Sequence, residues 1–135
     1  MSMLKSKLLR QTVALLAIIG VLYFFAEIFY LHWTVWWYDV MLHSLSGVCA
    51  GMAYVFFSSQ YFWSLTEDNN KTIFLGLVFV FVVGVLWEVY EIKFDHTSFK
   101  DGIYYIRDTI SDLIADVSGG FFGITYGLRF LKVKK

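Results

Sequence analysis

The chain has 135 residues, of which 59% are hydrophobic and 21% are aromatic, and its formal net charge is zero. This length suits one domain, but a soluble domain of this size could not bury so much apolar surface. Apolar runs of about 18 residues or more are typical of transmembrane helices, and the chain has four near-candidates. The composition therefore predicts an all-α membrane protein and argues against nucleic-acid binding.

The apolar runs predict a bundle of about four transmembrane helices in one domain, residues 1–135. The segments cover about residues 8–30, 38–62, 72–92 and 107–131. Eight of the eleven Lys and Arg residues lie at the chain ends or between the second and third segments. Because basic residues concentrate in cytoplasmic loops, both termini are predicted inside. We expect a multi-pass protein of the cell (inner or plasma) membrane, in contact with membrane lipids.

The acidic residues concentrate at the predicted outer ends of these segments. Only Glu67 and Asp68 fall on the predicted cytoplasmic side. All three histidines lie on the outer side: His32, His43 and His96. The other nine acids lie there too: Glu27, Asp39, Glu88, Glu91, Asp95, Asp101, Asp108, Asp112 and Asp116.

Helical spacing places some of these residues on common faces. At about 100° per residue, Asp39 and His43 differ by about 40°, and Glu88 and Glu91 by about 60°. A ridge of acids follows the last segment in steps of about 40°: Asp108, Asp112 and Asp116. Small residues continue the same face: Gly119, Gly123 and Gly127. Small residues let membrane helices pack closely, so this face is predicted to pack within the bundle rather than to form a dimer face.

Several acids facing one another in a membrane need compensation, because one charged side chain at the bilayer centre costs about 2.5–3.5 kcal/mol. The outer basic residues are too few to pair with nine acids. A divalent cation is the simplest answer: carboxylates suit Mg²⁺, Mn²⁺ or Ca²⁺, and a histidine among them also admits Zn²⁺ or Fe²⁺. The predicted metal ligands are Asp39, His43, Glu88, Glu91, Asp112 and Asp116.

Three segments occur in the order seen in a known group: YDVMLHSLSG, LWEVYE and RDTISDLIADVSGGFFG. Over roughly residues 38–127 the chain resembles the VanZ-like and YjdF-like bacterial membrane proteins. In that group a D-x3-H opens one helix, a Glu-rich turn ends the next, and a D-x3-[ND]-x2-G pattern opens the last. The resemblance implies a bacterial membrane protein with a shared polar site. VanZ-like proteins are associated with glycopeptide resistance, and the paired acids of WEVYE are closer to the YjdF-like side.

The first functional hypothesis is a metal-dependent membrane enzyme, a hydrolase or transferase. The metal would polarise a phosphoryl or carbonyl oxygen, or activate water. The candidate catalytic residues are Asp39, Glu88 and Asp116, and Arg107 would bind a substrate phosphate. Because the site opens near lipid headgroups, the expected substrate is a lipid or lipid-linked phosphate of the cell envelope.

Two alternatives stay open. A cation transporter or sensor would also use carboxylates that lead into the bilayer, but it would need a homo-oligomer or backbone carbonyls to continue the path. A non-catalytic membrane subunit would instead pair its acids with the basic residues of a partner.

Overall fold

The computed structural model describes residues 3–61, 68–94, 100 and 102–132. Within these residues the chain forms five helices: α1 (Met3–Phe29), α2 (Leu31–Thr34), α3 (Trp36–Tyr61), α4 (Asn69–Lys93) and α5 (Ile103–Lys132). The predicted all-α membrane bundle is confirmed. Each long helix begins two to five residues before its predicted start, because the prediction followed only the apolar runs.

Three of the helices are long and apolar enough to cross a membrane: Lys5–Phe29 of α1, Trp36–Tyr61 (α3) and Asn69–Lys93 (α4). The fourth predicted span, α5, has 30 residues and carries charges that lower its hydropathy. Its acids Asp112 and Asp116 are buried, whereas Ile114 and Phe122 are exposed. The polar face of α5 therefore points into the bundle and its apolar face points outward, as expected of a helix that has lipid around it.

The closest packing joins α3 and α5, which run parallel. A Cβ atom placed on Gly47 would collide with the backbone of Asp116, and one on Gly119 would collide with the backbone carbonyl of Ser44. Gly123 also packs directly against the α3 backbone. These contacts confirm the prediction that the glycine face of α5 packs within the bundle.

Helix α4 runs antiparallel to α5 along the same contact region. Gly76 packs near Ile124, and two turns further along α4, Gly84 packs near the side chain of Asp116. The end of α4 that bears Glu88 therefore lies beside the first turns of α5. Thr109, in those turns, donates a hydrogen bond to Glu88.

Helix α1 runs antiparallel to α3. The Lys5 ammonium donates to the carbonyl oxygen of Ser59 at 2.6 Å, and the Tyr38 hydroxyl donates to the carbonyl oxygen of Leu22 at 3.0 Å. We name the end where α3 and α5 begin, and where α1 and α4 finish, the acidic end. A buried apolar core occupies the opposite half: Leu8, Met52, Val55, Phe56, Ile124 and Leu128.

Candidate metal centre

A sharp turn at the acidic end brings His32 against α3. Tyr30 has a left-handed φ of 54°, and the one-turn helix α2 follows it directly. His32 Nδ1 then donates to Asp39 Oδ1 at 2.8 Å, while His32 Nε2 lies 3.6 Å from Glu27 Oε1. Glu27, His32 and Asp39 thus form a line of alternating acidic and basic groups.

The charge of His32 is stabilised by these two acids. Burial alone would lower the pKa of His32, but the hydrogen bond and negative charge of Asp39, with a smaller contribution from Glu27, outweigh burial and raise it. His32 therefore keeps its proton to a higher pH than an exposed histidine. Protonated His32 holds the Asp39 carboxylate in place through a charge-assisted hydrogen bond.

His43 and Asp116 form a buried pair between α3 and α5. Each residue is 4% exposed, and His43 Nδ1 donates to Asp116 Oδ2 at 3.1 Å. The glycine at position 84 makes room for this pair, because a Cβ atom there would lie 2.5 Å from Asp116 Oδ2. With Nδ1 engaged, the opposite nitrogen of a neutral imidazole, Nε2, carries the free lone pair.

His43 also converges with two other buried residues. His43, Glu88 and Asp112 each offer one potential ligand atom, and these atoms lie within 4.8 Å of one another. Within the described structure, His43 Nε2, Glu88 Oε1 and Asp112 Oδ1 are buried without a hydrogen-bond partner. Thr109 satisfies the second Glu88 oxygen at 2.7 Å. Buried polar atoms are normally hydrogen-bonded, so three unpaired ones in a single group indicate a place for a ligand.

Two further groups overlap with this triad. The first group comprises Asp39, His43 and Glu91, and the second comprises Asp39, Asp108 and Asp112. In each group the potential ligand atoms lie within 4.8 Å of one another. Glu91 also accepts a hydrogen bond from the Trp87 indole at 2.9 Å. We name the combined set the outer cluster, after the membrane face on which it is predicted to lie: Asp39, His43, Glu88, Glu91, Asp108 and Asp112.

The structure thus brings together five of the six predicted metal ligands. The sixth, Asp116, lies outside these ligand groups and pairs with His43. Arg107 is exposed on α5, and no hydrogen bond or ion pair of the described residues joins it to the outer cluster. The predicted outer residues Asp95, His96 and Asp101 lie outside the described part of the chain.

Sequence reasoning missed the supporting residues. His32 lies outside the predicted helices, and helical spacing cannot relate it to Asp39 across the turn at Tyr30. Thr109 carries no charge, and its partner Glu88 is on another helix. Asp108 belongs to the acidic ridge of the sequence, but a position at a helix start gives no reason to include it among the ligands.

The comparison with known families covers nearly the whole chain. A family model described as a predicted membrane protein (DUF2238) matches residues 5–133. The match includes every residue of the outer cluster, but it does not favour the VanZ-like or the YjdF-like group specifically. No curated protein and no solved structure matches this chain.

Proposed function

The chain belongs to the DUF2238 family of predicted membrane proteins, and we propose that the buried triad within its outer cluster binds a divalent metal ion. The observation that carries this proposal is the buried triad of His43, Glu88 and Asp112, each with a polar atom that lacks a hydrogen-bond partner. A cation would satisfy all three atoms at once. It would also offset the repulsion between carboxylates that lie close together in a medium of low dielectric constant.

The donor set narrows the choice of metal. One imidazole nitrogen with several carboxylate oxygens suits Mn²⁺, Fe²⁺ or Zn²⁺, and Mg²⁺ remains compatible with the carboxylates. In this proposal Asp116 supports His43 rather than binding the metal, since its Oδ2 accepts from His43 Nδ1. A carboxylate behind a ligating histidine is a common arrangement that fixes the tautomer and strengthens the ligand.

A metal at this position would serve phosphoryl or acyl chemistry. It would polarise a substrate oxygen or lower the pKa of a bound water. Glu88 would then be a ligand, and Asp39 is the better candidate for a general base because its side chain is 18% exposed and is held by His32. Arg107 would contact a phosphate only at the rim, since it is exposed on α5.

The proposed substrate is a lipid or lipid-linked phosphate, because the acidic end is predicted to lie at the outer membrane surface, among headgroups. The resemblance to VanZ-like and YjdF-like proteins supports a role in the bacterial cell envelope. We therefore propose a metal-dependent hydrolase or transferase that acts on such a lipid.

The alternatives receive less support from the described residues. Carboxylates within the long helices are confined to the acidic end, whereas a cation path would need polar groups further along. A basic partner subunit would have difficulty reaching the triad, because His43, Glu88 and Asp112 are between 2% and 5% exposed. A partner subunit predicts a protein without bound metal, whereas a transporter or sensor predicts a cation that exchanges readily.

Elemental analysis of the purified protein tests the proposal directly. We expect near-stoichiometric metal in the wild type and its loss in Asp112→Asn and His43→Ala. Asp68→Asn is the matched control, because Asp68 caps α4 through hydrogen bonds from the Asn70 and Lys71 amides, and asparagine caps helices equally well. This control should keep its metal.

Two results would contradict a metal site. One is a folded wild type that stays metal-free after Mg²⁺, Mn²⁺, Zn²⁺, Fe²⁺ and Ca²⁺ are added back. The other is full occupancy in Asp112→Asn. Catalysis is tested in the same preparations by measuring phosphate release from a lipid phosphate. Asp39→Asn should keep its metal and lose turnover. Equal turnover in Asp39→Asn and the wild type would show that Asp39 is not the base.

A further inference from the structure

An apolar cavity of about 300 Å³ lies between α1, α3 and α4, directly beside the outer cluster. At one end it is bordered by polar side chains: His32, Asp39, His43 and Asp116. Away from that end its walls are apolar or small, including Leu16, Ile19, Ala50, Val80 and Val83. The cavity is therefore amphipathic along its length, with the polar end at the metal centre.

The cavity is longer than a headgroup site requires. Its α3 wall extends from Asp39 to Ala50, which corresponds to about 16 Å at the helical rise of 1.5 Å per residue. Its volume lies at the lower end of the range for small-ligand pockets, about 300–1,000 Å³. The mainly apolar part beyond His43 accounts for about 10 Å of this length. A narrow space with a polar entrance and an apolar interior suits one extended hydrocarbon chain better than a bulky or branched ligand.

Glycine keeps one wall of the cavity open. Gly20 of α1 borders the cavity, and a Cβ atom placed there would meet no atom within 4 Å. This differs from Gly47 and Gly84, which also border the cavity but are already in close contact with Asp116. Gly20 is therefore not needed for helix packing, and its missing side chain leaves space beside the cavity.

We propose that this apolar cavity binds the single hydrocarbon chain of an amphiphile whose phosphate group lies against the outer cluster. The position of the phosphate rests on the proposed metal function, whereas the chain site is supported separately by the shape and lining of the cavity. The outer cluster would orient the headgroup, and the cavity would select chain length.

The test uses the whole protein in phosphatidylcholine nanodiscs. The probe is dodecyl phosphate with a photoreactive diazirine at the end of its chain, and cross-linked peptides are mapped by mass spectrometry. The expected result is labelling near Ala50 and Val80, at the end of the cavity away from the outer cluster. Excess unlabelled dodecyl phosphate should suppress this labelling.

Two variants narrow the cavity from opposite sides, Gly20→Phe and Ala50→Leu. In at least one of them, we expect that suppressing the labelling will need about tenfold or more unlabelled dodecyl phosphate. This is the loss of affinity expected when about two methylene groups are excluded from an apolar site. Ala17→Phe is the matched control, because Ala17 is exposed on α1 and does not border the cavity. Thermal unfolding of each variant establishes that it is folded.

Unchanged competition in both folded variants would overturn the chain site, as would equal labelling of outward-facing residues such as Phe74 and Phe122. Replacing dodecyl phosphate with dodecanol, or adding a chelator, tests the headgroup separately. Cavity labelling that persists under both conditions with undiminished affinity would support the chain site and overturn the placement of the phosphate. Failure of the metal proposal is thereby distinguished from failure of the chain site.

Discussion

At the scale of single residues, a hydrogen bond to Asp116 holds the His43 ring in one orientation. The His43 ring is buried, its Nδ1 donates to Asp116 Oδ2, and the absence of a side chain at Gly84 leaves space for that carboxylate. The ring therefore presents Nε2 toward the remaining acids without first having to be ordered. Such preorganisation favours tight binding because little conformational entropy is lost when the ligand arrives.

Removing the Asp116 carboxylate should weaken metal binding without abolishing it. We expect Asp116→Ala to lose about 10–100-fold in affinity, the usual effect of removing a carboxylate behind a ligating histidine. His43→Ala should lose more, because it removes a ligand. Competition with a chelating dye measures both effects. A wild-type affinity in Asp116→Ala would show that the pair is purely structural.

The residues in and around the outer cluster differ in how far they could be predicted. Asp39 and His43 lie one helical turn apart, so periodicity was sufficient to place them on one face. Asp116 was correctly placed inside the bundle, but periodicity cannot tell a ligand from a residue that holds a ligand. The position of His32 depends on the left-handed backbone at Tyr30. This backbone conformation could not be predicted from the sequence, because tyrosine rarely adopts it.

At the scale of helices, contact between the backbones of α3 and α5 brings the acids together. Gly47 and Gly119 allow this approach, so that Asp112 and Asp116 of α5 lie beside His43 of α3. A stripe of small residues was enough to predict which face packs. It could not give the register between the two helices, which depends on individual side chains at the contact.

Enlarging a glycine at this contact should destabilise the bundle. We expect Gly119→Ala to cost about 1–3 kcal/mol, as for other overpacked sites, since the new methyl group would meet a carbonyl of α3 that cannot rotate away. Gly20→Ala is the control, because nothing lies within 4 Å of its Cβ position. Unfolding in mixed detergent micelles measures both. Equal stability of the two variants would contradict close backbone packing.

At the scale of the whole molecule, the predicted orientation in the membrane can be tested with single cysteines. The free Cys49 is buried and is first replaced by serine. Tyr104→Cys lies at the acidic end and Asn70→Cys at the opposite end, both at exposed positions. A membrane-impermeant maleimide applied to intact cells should label Tyr104→Cys and spare Asn70→Cys. The reverse pattern would place the acidic end in the cytoplasm.

The burial of acids on α5 also affects the insertion of this helix into the membrane. Unlike α1, α3 and α4, this helix is not apolar enough to count as a membrane span by itself. A translocon that releases helices into lipid according to their hydrophobicity would therefore retain α5 until its partners are present. We expect α5 to enter the bilayer only against a preassembled α3 and α4, so that the outer cluster forms when α5 joins them.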